Sequence, residues 1–477
     1  MSRYATGPLV WVLCSICAQP SHAQLSSFKH IIIVIQENRT PDNLFQGLCT
    51  SPFGTSSSCS TAPSGVQYDI QTSNWLDKTS ATGVTQPETV VLAGAYDMNH
   101  THASFTAACD MNAERQCLMD GAGLVTCYGK CPPHPAYQYV DNSTGIVDPY
   151  LSLATEYGWA NYMFQTNQGP SFPAHQFLFG GTSAPSAADD ADGVFAAENM
   201  NPENSTAGCI ALATTTVNLI TTKGEDQTIY PCFEHQTLAD LLDSNGITWR
   251  YYSGGNGGIW TAPNAIEHIC QPNQPSGGKC VGPDWNADVV IKNAQILADI
   301  KSCNLAGVSW SIPSGANSDH PRLNTGGGPS WVASLVNEIG LNPKCANGER
   351  YWRDTAILIL WDDWGGWYDH EPPAILPEPE GDYQYGFRVP FIAVSAYTPA
   401  GFISNERHDF GSILRFIESN FNIAEGSLSF ADARSTTDLS EFFNLSQTPR
   451  VFTKIPSTTD ADYFLNDQTP WTEPDDD

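Results

Sequence analysis

Five consecutive β-branched residues, Ile31-Ile32-Ile33-Val34-Ile35, constrain the fold of this chain more than any other feature. Successive side chains of a strand point to opposite faces, so a run without polar alternation must be buried on both. Strands of that kind belong to parallel sheets covered by helices on each side. Ala356-Ile357-Leu358-Ile359-Leu360 reads the same way, and so does Val389-Pro390-Phe391-Ile392-Ala393-Val394, whose proline places it at a strand start or an edge. Helical patterns over 237–242, 331–339 and 410–421 fall between or after these runs. Strands alternating with helices predict an α/β sandwich with a largely parallel central sheet.

The rest is loop-rich. Segments 49–90, 252–285 and 311–328 are heavy in Ser, Thr, Gly and Pro and read as long excursions above the sheet. The N-terminus reads as an export signal: Arg3, a short apolar stretch from Gly7 to Cys17, and small residues at Ser21-His22-Ala23. Residues 1–23 are therefore expected to be a signal peptide and 24–477 a single domain with loop insertions. The apolar stretch is too short to anchor in a bilayer, and no later stretch reaches a spanning length. Of 14 cysteines, 12 lie beyond the signal, an even number that suits disulfides in an oxidising compartment. Neighbours in sequence suggest Cys49 with Cys59, Cys127 with Cys131, Cys209 with Cys232 and Cys270 with Cys280, with no zinc-finger spacing among them. A formal net charge of −30 argues against a nucleic-acid partner and against long-range attraction to an anionic bilayer. An anionic substrate must then be attracted locally, by a metal or by placed donors.

Two of the three strand runs end in carboxylates: Glu37-Asn38 follows the first and Asp362-Asp363 the second. Ligand sites of open α/β sheets form beyond the carboxyl ends of strands, and oxygen donors suit hard divalent cations. Taken alone, each acidic pair is also compatible with a solvated loop or a helix cap. Asp369-His370 reads as a proton-transfer pair or as a satisfied structural pair. Ser171, set between Pro170 and Pro173, reads by residue type as an ordinary turn serine and does not match a nucleophile elbow. His100, His102, His268, His320, His370 and His408 are the histidines available for acid–base work.

In order along the chain, Glu37-Asn38-Arg39-Thr40, Asp97-Met98-Asn99-His100 with Met119-Asp120-Gly121, and Gly169-Pro170-Ser171-x-Pro173 resemble motifs of the bacterial phospholipase C and acid phosphatase family. The segments Ile259-Trp260-x-Ala262-Pro263-x-Ala265-Ile266-x-His268, Asp319-His320-Pro321, Asp362-Asp363-x-Gly365-Gly366-x-Tyr368-Asp369-His370, Gly386-x-Arg388-Val389-Pro390 and His408-Asp409 extend the resemblance to about residue 420. It implies an alkaline-phosphatase-like α/β/α fold and hydrolysis of phosphoric esters, either phosphomonoesters or phospholipid headgroups. It further implies Ser171 as nucleophile with a phosphoserine intermediate, and Glu37, Asn38, Ser171, Asp362 and Asp363 around a divalent metal. His100 and His320 would contact the transferring phosphoryl group or assist the leaving group. Three departures bear on substrate choice. Asp363 stands where many members carry Glu, Ala174-His175 replaces a frequent Asn-Arg and removes a cation, and cysteine-rich insertions follow Gly47 and span 117–133. The reading from another class is a secreted binding or adhesion module with structural Ca²⁺, which accounts for the composition but not for polar residues at strand ends.

Overall fold

The computed structural model describes residues 28–474, apart from 202–205, 222, 256, 343–344 and 377–383. The expected signal peptide lies outside the described residues. The isoleucine run forms strand β1 (His30–Gln36), buried along its whole length. Seven more strands complete its sheet: β2 (Gly158–Phe164), β3 (Trp249–Tyr252), β4 (Val289–Val290), β5 (Val308–Ser311), β6 (Thr355–Trp361), β7 (Phe391–Val394) and β8 (Phe402–Asp409). Their spatial order is β4-β3-β5-β1-β6-β7-β2-β8. All neighbours pair in parallel except around β7, which runs antiparallel to both β6 and β2. Strand β7 therefore lies inside the sheet, not at an edge. Pro390 immediately precedes it, where the missing N–H breaks no ladder bond within the strand.

Register shows how both faces are covered. Ile33 is aligned with Trp310 of β5 and with Leu358 of β6, whereas Gln36 is aligned with Trp361. Ile33 and Gln36 are three residues apart, so Trp310 and Trp361 point to opposite faces. The Trp310 indole donates to the Leu178 carbonyl at 3.0 Å, and Trp361 meets Tyr150 edge-on at 5.0 Å between ring centres. Tyr150 belongs to α1 (Asp148–Glu156) and Leu178 to α2 (Ser171–Gly180). Two further helices, α3 (Gly328–Leu341) and α4 (Phe410–Asn420), pack on α1 and α2 respectively. The outcome is the expected α/β/α sandwich.

The four suggested disulfides form, joined by Cys109–Cys117 and Cys303–Cys345. None of the six joins two strands of the central sheet. Among the described residues, no helix is long and apolar enough to cross a membrane.

Candidate active site

Gln36 and Trp361 are paired at the carboxyl ends of β1 and β6, so Glu37 and Asp362 leave the sheet side by side. The Asp362 N–H donates to the Gln36 carbonyl at 3.0 Å, continuing the ladder by one step. The first chain then turns sharply at Asn38, which has a φ of +60°. Asparagine tolerates this left-handed conformation better than most residues. The turn lets the Asn38 N–H donate to Asp362 Oδ1 at 3.2 Å and the Arg39 N–H donate to the Asp363 carbonyl at 3.0 Å. Gly365 and Gly366 bring the second chain against it. A Cβ on Gly365 would lie 2.3 Å from the Asn38 carbonyl oxygen, and one on Gly366 would lie 2.4 Å from Met98 Cβ. Both glycines also have positive φ, so the close approach and the backbone angle require the same residue.

Ser171 is the first residue of α2, and its hydroxyl donates to Asp363 Oδ2 at 3.1 Å. The other Asp363 oxygen accepts the Gly365 N–H at 2.7 Å, which fixes the carboxylate's orientation. The next N–H in the helix, that of Phe172, donates to Asn199 Oδ1 at 2.7 Å. A helix N-terminus carries partial positive charge and favours anions nearby.

His100 and His320 approach from separate loops. His100 Nδ1 lies 2.9 Å from the Met98 carbonyl and His320 Nδ1 lies 2.7 Å from the Pro321 carbonyl, so each Nδ1 carries a proton and donates it. Their Nε2 atoms both lie 3.1 Å from one end of the Asn38 amide. The other end lies 3.2 Å from Glu37 Oε2 and 3.1 Å from Asp362 Oδ1. With its nitrogen toward the imidazoles, the amide donates one hydrogen to each neutral ring. Its oxygen then joins two carboxylate oxygens in a cluster that a cation would satisfy. The reversed amide would donate to both carboxylates and would require both rings to be protonated.

Glu37, Asp362, Asp363, Ser171 and His175 are wholly excluded from solvent. Three ionised carboxylates so placed are costly without a counter-charge. The oxygen-rich donor set of Glu37, Asn38, Asp362, Asp363 and the Ser171 hydroxyl fits a divalent metal. All seven residues singled out from sequence as catalytic or metal-binding are therefore linked by direct contacts around Asn38 and Asp363.

Sequence reasoning missed His175. It lies one helical turn after Ser171, and its Nε2 is 3.5 Å from both Glu37 Oε1 and Asp362 Oδ2. Burial disfavours its charged form, but Asp362 and Glu37 outweigh burial and lift its pKa to about 9. The exchange of Asn-Arg for Ala-His thus removes the arginine but puts an imidazole against the carboxylates. Glu198 was also missed. It accepts the His102 N–H at 2.8 Å, and burial together with Glu225 pushes its carboxyl up to about 8.

Other residues singled out from sequence are engaged elsewhere. Asp369 holds Arg388 in a two-point pair at 2.9 and 3.1 Å, and His370 lies between Asp42 at 2.7 Å and Asp69 at 3.0 Å. His268 bonds Glu234 and Asp240. His408 bonds Ser404, Thr437 and Glu441. Arg39 donates twice to the Asp319 carbonyl and locks the first motif to the loop that carries His320.

An α/β sandwich with oxygen donors and a helix-terminal serine gathered at its strand ends is the class of protein that this geometry defines. Residues 28–424 match the phosphoesterase family, and the chain belongs to it. It is 25% identical over 262 residues to a non-hemolytic phospholipase C of Pseudomonas aeruginosa, covering 49% of this chain and 36% of the relative. It is 23% identical over 338 residues to a hemolytic phospholipase C of the same organism, covering 63% and 42%. With phospholipase C A of Mycobacterium tuberculosis it shares 22% over 245 residues, covering 46% and 45%. The chain thus spans less than half the length of these relatives. Among solved structures, a protein of the alkaline phosphatase superfamily from Vibrio parahaemolyticus aligns with a TM-score of 0.32 at 12% identity, covering 58% of this chain and 61% of that one.

Proposed function

We propose that this protein is an exported phosphoric-ester hydrolase with Ser171 as its nucleophile. The observation that carries the reading is the Ser171 hydroxyl at the start of α2, 3.1 Å from Asp363 Oδ2 and beside the Glu37–Asn38–Asp362 cluster. Family membership and the phospholipase C relatives support hydrolysis of a phosphoric ester. The six disulfides and the N-terminal segment support export. The binding-module alternative gives no account of the family match.

In this reading Glu37, Asn38, Asp362, Asp363 and Ser171 hold a divalent metal. A metal so held supplies Lewis-acid polarisation of the phosphoryl group and a lowered hydroxyl pKa. The chain's own residues do the rest. Asp363 Oδ2 accepts the Ser171 hydrogen and directs an oxygen lone pair toward the substrate. The N-terminus of α2 favours the anionic group as it arrives. Ser171 attacks in line, the ester oxygen leaves, and water then releases the phosphoryl group from the phosphoserine. His100 and His320 are aligned by their Nδ1 bonds, and each must first take up a proton at Nε2, releasing the Asn38 amide, before that nitrogen can donate to an equatorial oxygen or to the leaving oxygen.

Trp260, Trp364, Trp367 and Phe172, the aromatics that could wall an apolar approach for acyl chains, are all buried. Their burial supports a small polar phosphomonoester over a phospholipid. The test is hydrolysis of p-nitrophenyl phosphate and p-nitrophenylphosphorylcholine by the wild type and Ser171→Ala, with divalent metals supplied. Monoester preference abolished by the substitution supports the reading, diester preference transfers the substrate to phospholipid headgroups, and a fully active Ser171→Ala removes the nucleophile assignment.

A further inference from the structure

Glu37 and Asp362 each present their two oxygens to different partners. Glu37 Oε2 and Asp362 Oδ1 face the Asn38 amide, and Glu37 Oε1 and Asp362 Oδ2 face His175. We propose that His175 Nε2 is a metal ligand, sharing an ion with Glu37 Oε1 and Asp362 Oδ2, and that this nitrogen selects a transition metal such as Zn²⁺ or Mn²⁺ over Ca²⁺ or Mg²⁺. The inference rests on the reading of Glu37 and Asp362 as metal ligands and adds to it a donor that sets the identity of the metal.

Spacing is the first argument. Nε2 lies 3.5 Å from each carboxylate oxygen, and no hydrogen bond joins them. Three donors at about 2.1 Å from a tetrahedrally coordinated ion are separated by about 3.4 Å. The three residues are mutually close enough to share one ion, and all three are buried.

The second argument concerns the ring itself. Neither nitrogen of His175 makes a hydrogen bond among the described residues, and the side chain is wholly buried. A metal on Nε2 would give this nitrogen the partner that the protein's own polar groups do not supply within hydrogen-bond geometry. Position supplies the third argument. A residue four after Ser171 in α2 falls on the same helical face, so the helix that presents the hydroxyl also presents the imidazole. Imidazole is a ligand for Zn²⁺ and its neighbours, whereas Ca²⁺ and Mg²⁺ take oxygen.

The experiment measures metal binding by the full chain. Metal-free protein is titrated with Zn²⁺, Mn²⁺, Ca²⁺ and Mg²⁺, and bound metal is counted by mass spectrometry in the wild type, His175→Ala and Asp362→Asn. The Mn²⁺-loaded wild type is also examined by electron spin echo for coupling to an imidazole nitrogen. Loss of a metal-ligating group is expected to weaken Zn²⁺ and Mn²⁺ binding at least about 100-fold, since even outer hydrogen-bond partners are worth 10- to 100-fold. Ca²⁺ and Mg²⁺ binding should change little in His175→Ala and fall in Asp362→Asn. Nitrogen coupling in the wild type that His175→Ala abolishes supports the proposal. If His175→Ala does not fold, His175→Gln takes its place in the same comparison. Metal bound with no nitrogen coupling, or with affinity indifferent to His175, overturns this inference alone. A wild type that binds no metal overturns the metal reading beneath it as well.

Discussion

Ser171 and Asp363 lie 192 positions apart in sequence, and the hydroxyl of one donates to the carboxylate of the other at 3.1 Å. Each is fixed from its own side. Ser171 opens α2, and the second oxygen of Asp363 is held by the Gly365 N–H. Asp363→Asn retains the shape and removes the anionic acceptor. It is expected to lower kcat about 100-fold or more, the usual scale for a positioned proton acceptor, with little change in melting temperature. Steady-state kinetics on a chromogenic phosphate ester, beside a thermal melt, check this.

Gly365→Ala should damage stability and activity together. The added Cβ would lie 2.3 Å from the Asn38 carbonyl oxygen, at a backbone φ of +62°. The left-handed conformation and the clash should cost about 2 kcal/mol or more. Relief of the clash must displace Asn38, so activity should fall even in the fraction that remains folded. Urea denaturation together with turnover per folded molecule separates the two effects.

The His370 cluster sets an alkaline limit to stability. Burial opposes the charge on His370, but Asp42 and Asp69 outweigh it and raise its pKa to about 10. The folded state therefore holds a proton that the unfolded chain releases near pH 6.5. The stabilisation is complete below that value and declines as pH rises through about 10. Denaturation midpoints from pH 6 to 11 should fall across this range. His370→Asn, which cannot titrate, should start lower and show a shallower decline.

Among the disulfides, Cys303–Cys345 closes the longest loop, with a separation of 42, and Cys127–Cys131 the shortest, with 4. Loop-closure entropy assigns about 4 kcal/mol to the first and about 2 kcal/mol to the second. Replacing Cys303 and Cys345 with serine should therefore cost more than replacing Cys127 and Cys131. Denaturant midpoints of the two double variants make the comparison.

The centre of the sheet was legible because Ile31–Ile35 and Ala356–Leu360 are short, largely β-branched or aliphatic runs without alternation, the pattern of strands buried on both faces. The acids that follow these runs were legible for the same reason, since strand ends are where such sheets place their sites. Strands β3 and β5 were not. Trp249-Arg250-Tyr251-Tyr252 and Val308-Ser309-Trp310-Ser311 carry polar residues, and the burial of Ser309 and Ser311 is decided by neighbouring strands rather than by local pattern. Residue type alone makes Ser171 a turn serine, because its acceptor Asp363 lies far away in sequence, just beyond the end of β6. His175 escaped because its place depends on the phase of α2. Once that helix is known to begin at Ser171, position 175 falls beside the hydroxyl.

Five of the six disulfides each fasten a local excursion to itself, and Cys303–Cys345 ties the loop before β5 to the loop after α3, leaving the strands of the central sheet unlinked to one another. The molecule is stitched in patches rather than belted around its girth. Each patch carries its own fastening, so an excursion can lengthen, shorten or be exchanged for another without loosening the rest. The excursions can then change one at a time over strand ends that hold Glu37, Asp362 and Asp363 in place.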